Sequence, residues 1–433
     1  MFNSKLSTLF TLILFITQGI LMSATLKEIK NNSSTIPVIF EKNNNLPIFN
    51  LQLVFQNSGY INDEKKPGIT NLIAKILNEG TKKDGAIQYA RNLENNAISI
   101  DASTGFETFV IEISCLKSEY TLALKYLNEL LKDPNLTKDT LDKIKLLEIS
   151  KLQQKENDFD YIASKNLKTL QYKNTALEYT SKGEIKHIEK ITLKDIKKKL
   201  PTVLNLNNLI IVVGGDLDFQ NFKQDIKKTL NLISSDKKTL LNKIVSSQKI
   251  QEKIIIKDTE QSYIYFSSPF DINYDSKESY KAKVASFILG GSGFGSRLME
   301  EIRVKNGLAY SAYGNITNNK SHSHFTGYLQ TKLDNTDKAK AMVNKIVNEF
   351  VKLGVTKKEL QAAKNFLLGS EPLRTETFSQ RLNRAFHLYY KNLSFDYPKK
   401  ELELIDTLTV KELNDFIKKH QEIKKLSFSI VTK

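Results

Sequence analysis

The order of hydrophobic and polar positions predicts strands and helices in the first half of the chain. Alternation with a period of two predicts strands at 51–55 and 108–116. An unbroken apolar run at 209–213 predicts a buried strand, which ends in a glycine turn. Apolar positions at helical spacing predict helices at 68–78, 119–131, 138–154 and 160–173. The first half therefore combines separate strands with a group of consecutive helices.

The second half repeats this order. Alternating or apolar runs predict strands at 262–268, 324–330 and 426–431. Helical spacing predicts helices at 279–290, 297–305, 337–353, 357–369 and 378–391, with a glycine-rich break at 290–295. Two halves of about 200 residues with the same order indicate a tandem duplication. Helices that are grouped, and do not alternate with strands, favour α+β domains over a doubly wound sheet.

The length of 433 residues exceeds what one hydrophobic core usually serves, so at least two domains are expected. The changes in composition give their boundaries. We predict a signal peptide at 1–24, a first domain at 25–233, a lysine-rich linker at 234–253 and a second domain at 254–433.

The start of the chain differs from the rest. Lys5 is the only charged residue before Lys27, and a largely apolar run at 6–22 closes on Met22-Ser23-Ala24. A basic start, an apolar stretch and a small residue at the cut are typical of a secretory signal peptide, so we expect a periplasmic protein. The alternative is an uncleaved membrane anchor, because the apolar run approaches spanning length. No later segment is long and apolar enough to span a bilayer.

The net charge of +16 at pH 7 invites a nucleic-acid interpretation. The lysines are scattered along the whole chain, however, and no arginine-rich run is interleaved with aromatic residues. We therefore predict no nucleic-acid partner. Cys115 is the sole cysteine, which excludes an internal disulfide and a cysteine-based metal cage. Its neighbours predict a buried, inert position on a strand.

The segment KPGITNLIAKILNEGT at 66–81 resembles the active-site helix of the pitrilysin, insulinase and mitochondrial processing peptidase family. That family carries His-x-x-Glu-His there, with two zinc ligands on one helix face and a Glu that acts as base on the metal-bound water. Here the ligand positions fall on Asn71 and Lys75, and the base position falls on Ala74. The resemblance implies two homologous α+β domains, each a mainly antiparallel sheet with helices on one face, which form half of a clam-shell chamber.

The family's third zinc ligand is a Glu on a later helix, before a polar turn. The residues 156–159 resemble that turn, and counting back without gaps places the ligand on Ser150 or Lys151. This predicts lysine and no carboxylate at the cation site. None of the five histidines stands in a His-x-x-x-His arrangement. We therefore expect no zinc site on this chain and no cofactor of its own.

The second half keeps a different part of the family pattern. LGGSGFGSRL at 289–298 and EIRVKNGLAYS at 301–311 resemble a glycine-rich loop followed by R-x-x-x-G-L-A-Y-S. The resemblance assigns Arg303 and Tyr310 to holding the substrate backbone and polarising its scissile carbonyl, for which guanidinium and phenol donors are suited. The glycine run could mimic a phosphate loop, but it lacks the following Gly-Lys-Ser/Thr and no strand leads directly into it.

Split-site members of this family pair a zinc-motif chain with a chain that carries the Arg/Tyr pair, and this sequence resembles the second kind. The resemblance implies the non-metal subunit of a heterodimeric zinc peptidase, with zinc on a homologous partner and peptides as substrates. The alternative is a catalytically inactive binding or scaffold protein. An autonomous zinc protease would need a further metal site. His322 and His324 could chelate a metal from one strand face, but two histidines without a third ligand are more often surface residues.

Overall fold

A computed structural model describes residues 24–31 and 34–433 of the protein. The predicted signal segment therefore lies outside the described residues, apart from Ala24. The strands are β1 (Thr25–Asn31), β2 (Ser34–Lys42), β3 (Ile48–Gln56), β4 (Ser99–Thr104), β5 (Thr108–Leu116), β6 (Leu209–Gly215), β7 (Glu252–Ile256), β8 (Gln261–Pro269), β9 (Ala309–Asn318), β10 (Ser323–Lys332) and β11 (Ser427–Thr432).

The α-helices are grouped between the strands. Those of the first half are α1 (Ile69–Leu77), α2 (Gly85–Glu94), α3 (Tyr120–Lys132), α4 (Lys138–Lys155), α5 (Phe159–Tyr172), α6 (Ile185–Ile188), α7 (Leu193–Val203), α8 (Phe219–Asp225) and α9 (Lys227–Leu230). Those of the second half are α10 (Ser279–Ser286), α11 (Arg297–Met299), α12 (Thr336–Leu353), α13 (Lys357–Gly369), α14 (Phe378–Tyr390), α15 (Tyr397–Thr407) and α16 (Val410–Lys419). No helix of these two groups is long and apolar enough to cross a membrane, as far as the described chain extends.

Each half of the chain builds one sheet. The first sheet has the order β1-β2-β6-β3-β5-β4, and all its neighbouring strands are antiparallel except the parallel pair β2 and β6. The second has the order β7-β11-β8-β10-β9, again with one parallel pair, β7 and β11. Once β1 is set aside, the two orders correspond strand by strand. The predicted α+β fold with two similar domains is therefore confirmed.

One face of each sheet packs against helices of its own half. In the first domain Leu53 and Ile111 are fully buried in one core with Leu72 of α1. In the second domain Phe325 lies in an equivalent core with Val343 of α12. Alternate residues of the central strands point into these cores, as the period of two requires.

The other face of each sheet is covered by a helix from the opposite half. Helix α14 packs on β2 and β6 of the first sheet, where Leu382 and Phe386 join a buried cluster with Val212. Helix α5 packs on β8 and β11 of the second sheet, and its Asp160 accepts hydrogen bonds from the Tyr265 hydroxyl at 3.1 Å and the Gln330 amide at 2.9 Å. The resemblance predicted helices on one face only; the structure adds this reciprocal exchange of helices on the second face.

Several elements have no counterpart among those predicted from the sequence. They include the four edge strands β1, β4, β7 and β9, each of which has only one neighbouring strand. Edge strands are partly exposed, so their apolar pattern is weak. Strand β2 contains Pro37, which argues against a strand interior on sequence grounds. The residues 235–250 of the predicted linker form neither helix nor strand.

Candidate functional site

The helix that corresponds to the family's metal-binding helix is α1. It begins after Gly68, whose φ of 97° is accessible mainly to glycine. The Asp63 carboxylate accepts hydrogen bonds from the Thr70 amide at 3.0 Å and the Thr70 hydroxyl at 2.5 Å, which fixes the first turn. Burial raises the pKa of Asp63 to about 6, despite these hydrogen bonds.

The residues at the family's zinc positions face different environments. Asn71 and Ala74 are buried, whereas Lys75 is exposed and its side chain forms no hydrogen bond or ion pair with any residue that the structure describes. The Asn71 amide donates to the carboxylate of Glu148 on α4 at 3.4 Å. Lys151, on the next turn of α4, donates to the other Glu148 oxygen at 3.0 Å.

Glu148 corrects the predicted third position. Counting without gaps placed it on Ser150 or Lys151 and predicted that no carboxylate faces the site, yet Glu148 is 1% exposed and points at Asn71. The count fails because it was taken without gaps from the turn at 156–159, whereas the carboxylate that faces Asn71 lies two positions before Ser150 and three, or about one helical turn, before Lys151. The carboxylate is balanced by the amide and by the Lys151 ammonium.

These residues do not fit zinc. Zinc in proteins is held by imidazole, thiolate and carboxylate groups, and the site offers one carboxylate beside an amide, a methyl group and lysines. Within residues 24–31 and 34–433, no group of three or more His, Cys, Asp or Glu side chains is arranged to hold a metal ion. We therefore derive no metal-dependent step on this chain.

The glycine-rich segment of the second half follows α10, whose end widens into a π-helical segment, Phe287–Gly291. Gly290 lies against β9 so closely that a Cβ there would come 2.6 Å from the Gly314 amide nitrogen. This contact requires glycine. Ser296 then caps the short helix α11, since its hydroxyl accepts a hydrogen bond from the Met299 amide.

Arg303 and Tyr310 are brought together by a turn between a helix and a strand. Arg303 lies in the π-helical segment Glu300–Lys305, a rare conformation that occurs frequently at functional sites. Gly307, with a φ of 57°, reverses the chain: its amide donates to the Arg303 carbonyl and the Leu308 amide donates to the Ile302 carbonyl. Leu308 is buried and anchors the turn, so Tyr310 enters β9 beside Arg303.

The Arg303 guanidinium lies between two aromatic rings. Its central carbon is 4.5 Å from the centroid of the Tyr310 ring and 4.7 Å from that of the Phe294 ring. Tyr310 is 81% exposed and Phe294 is 70% exposed. The Arg303 side chain forms no hydrogen bond or ion pair within the described part of the chain. Cation–π contacts therefore hold the guanidinium in place and leave its N–H donors available to a carbonyl or carboxylate.

The sequence did not single out Phe294, although an aromatic residue between two loop glycines was a possible signal. It also did not single out Arg297, whose hydrogen bonds hold the segment that leads to Arg303. Its guanidinium donates to both oxygens of Glu359, at 2.5 and 2.9 Å, and to the Gly354 carbonyl at 2.6 Å. This ties the segment that carries Arg303 to α13.

The two parts of the family's active site lie on different domains of this chain. No hydrogen bond, ion pair or ring contact joins Asn71, Ala74 or Lys75 to Arg303 or Tyr310 in the described residues. The chain therefore presents an Arg/Tyr donor pair at its surface and a helix without zinc ligands elsewhere.

His322 and His324 lie in a cavity between the domains, which corrects their expected place at the surface. Their rings stack with centroids 5.5 Å apart, and Tyr172 of α5 contacts both edge-on. His322 is 6% exposed. His324 is on β10 and His322 directly precedes the strand; both rings lie on one side, as the sequence predicted, but α5 covers that side.

Two family descriptions together match most of the chain. The description "Insulinase (Peptidase family M16)" matches residues 38–183, and "Peptidase M16 inactive domain" matches residues 190–367. A Helicobacter pylori protein named "Non-peptidase homolog YmxG" is 44% identical over 427 residues, which is 98% of each chain. The chain belongs to the insulinase family, peptidase family M16. The family that the two motifs predicted is thereby confirmed.

A further relative and two solved structures match at lower identity. The "Uncharacterized zinc protease YmxG" of Bacillus subtilis is 22% identical over 73% of this chain and 76% of its own. Among solved structures, a peptidase M16 inactive domain from Pseudomonas fluorescens gives a TM-score of 0.85 at 24% identity, over 94% of this chain and 98% of that one. A protease from Helicobacter pylori gives 0.82 at 17% identity, over 95% and 100%. These structures share the M16 fold.

Proposed function

We propose that the protein is a non-peptidase M16 subunit that supplies Arg303 and Tyr310 to the active site of a homologous, zinc-bearing partner. The two chains would enclose a chamber in the periplasm and cleave peptides there. The observation that carries the proposal is the Arg303 guanidinium, which contacts the rings of Phe294 and Tyr310 and has no carboxylate partner among the described residues.

The chemistry of this donor pair supports the proposal. An arginine without an ion pair at a protein surface usually gains most of its stabilisation from water, but here two aromatic rings contact the guanidinium before any ligand binds. Donors that are already oriented lose little freedom when they bind an oxyanion, which is how preorganised sites lower a barrier. A scaffold protein gives no physical reason to hold a half-buried arginine against an exposed tyrosine in this way.

The first half supports the same division of labour. Asn71, Ala74 and Lys75 replace the groups that would bind zinc and activate water, so hydrolysis would require a second chain. The Helicobacter pylori relative is named a non-peptidase homolog, and the Pseudomonas fluorescens structure is described as an inactive domain. In this proposal zinc belongs to the partner.

The test is purification of the tagged chain from its host, followed by mass spectrometry and a peptide-cleavage assay. We expect a stoichiometric companion of similar size with a His-x-x-Glu-His motif. In the purified complex, Arg303→Ala should reduce kcat by about 10²–10³-fold, the cost of removing one oxyanion donor. The zinc content of the complex should stay unchanged.

Arg91→Ala is the matched control, because Arg91 is exposed on α2 and forms no ion pair within the described chain. Its complex should keep full turnover. Equal turnover of the Arg303→Ala and wild-type complexes would refute the role of Arg303. Recovery of the chain without a zinc-motif companion would favour the second candidate function, an inactive binding or scaffold protein. The observation that supports this alternative is the lack of zinc-ligand residue types at positions 71 and 75 of α1.

Export is a separate part of the proposal. The apolar run at 6–22 and the small residues before Thr25 support cleavage after Ala24. Fractionation of host cells should place the protein in the periplasm, and sequencing should find Thr25 at its amino terminus. A full-length chain in the membrane fraction would show that the segment remains as an anchor.

A further inference from the structure

A cavity of about 500 Å³ lies between α5 of the first domain and strands β8, β9 and β10 of the second sheet. Six of its twenty lining residues are phenylalanine or tyrosine: Tyr60, Phe106, Tyr172, Tyr265, Tyr313 and Tyr328. Volumes of this order suit a small organic molecule. Neither Arg303 nor Tyr310 lines the cavity, so a ligand bound there would be independent of the role proposed for that pair.

Three polar atoms in the walls lack hydrogen-bond partners. They are the Tyr172 hydroxyl, the Gln171 side-chain oxygen and Nδ1 of His324. Tyr172 is 5% exposed and Gln171 is 2% exposed. A buried polar group without a partner costs about 1–3 kcal/mol, and native structures contain few of them. The Gln171 oxygen can only accept a hydrogen bond, so the Tyr172 hydroxyl is the donor among these atoms that an anionic ligand could use.

The charge of the cavity favours an anion. Lys168 is the only charged residue in the walls that the structure describes, and its side chain forms no hydrogen bond or ion pair there. Burial lowers the pKa of Lys168, which means that the ammonium lacks the stabilisation a carboxylate would give. Burial also lowers the pKa of His322 to about 4 and that of His324 to about 3, so both imidazoles are neutral at pH 7.

A metal cation fits these walls poorly. The two imidazoles are the only side chains of the usual metal-binding types among the lining residues, and the Lys168 ammonium lies close enough to lower the pKa of both. An anion, in contrast, would pair with Lys168 and accept a hydrogen bond from the Tyr172 hydroxyl. The aromatic walls would bury a planar apolar body beside it.

We propose that this cavity binds a small organic carboxylate with a planar aromatic body, and that its carboxylate pairs with Lys168 and the Tyr172 hydroxyl. Both donors come from α5 of the first domain, while most of the opposite wall comes from β9 and β10 of the second. Such a ligand would therefore contact both domains.

The experiment is calorimetric titration of the full mature chain with 3-phenylpropanoate, and with 3-phenylpropanamide as its neutral counterpart. We expect the carboxylate to bind at least about tenfold more tightly than the amide, because a hydrogen-bonded charge pair is lost with the amide. Lys168→Met should weaken carboxylate binding by a similar factor. Lys173→Met is the control, since Lys173 is exposed just beyond α5 and does not line the cavity.

A second variant tests the place of binding without touching the charge. Ser164 lines the cavity one helical turn before Lys168, so Ser164→Phe should fill the space and abolish binding while the melting temperature stays close to that of the wild type. Equal affinity for carboxylate and amide would overturn the proposal. So would undiminished binding by Lys168→Met or Ser164→Phe, or no binding of 3-phenylpropanoate at about 10 mM.

Discussion

The Glu107 side chain reaches from the turn between β4 and β5 into the second domain. Its carboxylate accepts hydrogen bonds from the Ser321 amide at 2.8 Å, the Ser321 hydroxyl at 2.5 Å and the Tyr390 hydroxyl at 2.8 Å. Ser321 is fully buried and Tyr390 is 8% exposed. We predict that Glu107→Ala weakens the interface between the domains. The main cost should come from the lost hydrogen bonds, since the side chain is half-buried and contributes little packing.

The magnitude follows from the donors that are left behind. The Ser321 hydroxyl can turn to Nδ1 of His322, which already lies 2.8 Å away. The Ser321 amide and the Tyr390 hydroxyl have no such alternative, and each buried donor without a partner costs about 1–3 kcal/mol. Two such donors give an expected fall in the free energy of unfolding of about 2–6 kcal/mol. Glu107→Gln keeps one acceptor oxygen and should lose about half as much.

Thermal unfolding followed by circular dichroism measures the effect. An unfolding entropy of about 2.1 cal/mol/K per residue amounts to about 0.9 kcal/mol/K for 433 residues, so a loss of about 2–6 kcal/mol corresponds to a melting temperature lower by about 2–7 °C. Glu94→Ala is the control, because the Glu94 side chain is exposed on α2 and forms no hydrogen bond within the described chain; it should shift the transition by less than about 1 °C. A melting temperature for Glu107→Ala within about 1 °C of the wild type would show that water replaces the carboxylate and that the reasoning is wrong.

Three buried groups give further predictions. Arg297→Ala should lower the free energy of unfolding by about 2–4 kcal/mol. Arg297→Lys should restore only part of this stability, because an ammonium cannot bind both oxygens of Glu359 as the guanidinium does. The melting temperatures of the two variants test this. Burial raises the pKa of Cys115 to about 11, so Ellman's reagent at pH 8 should find no reactive thiol in the native protein and one after denaturation. Asp63 has a pKa of about 6 when folded and about 3.9 when unfolded, so the folded state holds its proton more tightly. The free energy of unfolding should therefore fall by about 2 kcal/mol as pH rises from 4 to 6, and urea unfolding of Asp63→Asn should not show this fall.

Features that depend on neighbouring residues could be predicted from the sequence. Helix α13 has the predicted bounds because Thr356 and Glu359 form a capping box at its start and the apolar positions keep helical spacing. The pairing of Arg303 with Tyr310 is likewise local, since one glycine turn brings them together. Patterns of this kind depend on a few consecutive residues, so the sequence is sufficient to predict them.

Features that depend on packing between distant segments could not be predicted. Glu148 faces Asn71 because α4 crosses α1 in a particular rotational setting, which a count along the sequence does not contain. His322 and His324 are covered because a helix from the other half lies over their strand. The sequence did not single out Lys168 either. The chain has many lysines, and only the folded structure shows that this one lines a cavity.

The exchange of α5 and α14 has a consequence for how the chain can be divided. A cut within 235–250 separates the sequence into two pieces but leaves each sheet covered by a helix of the other piece. A nicked protein should therefore stay together as a non-covalent pair. Either piece produced alone would present Val212 and Ile39, or the tyrosines of β8 and β10, to solvent and would tend to aggregate. Expression and fusion of this protein should therefore keep both domains together.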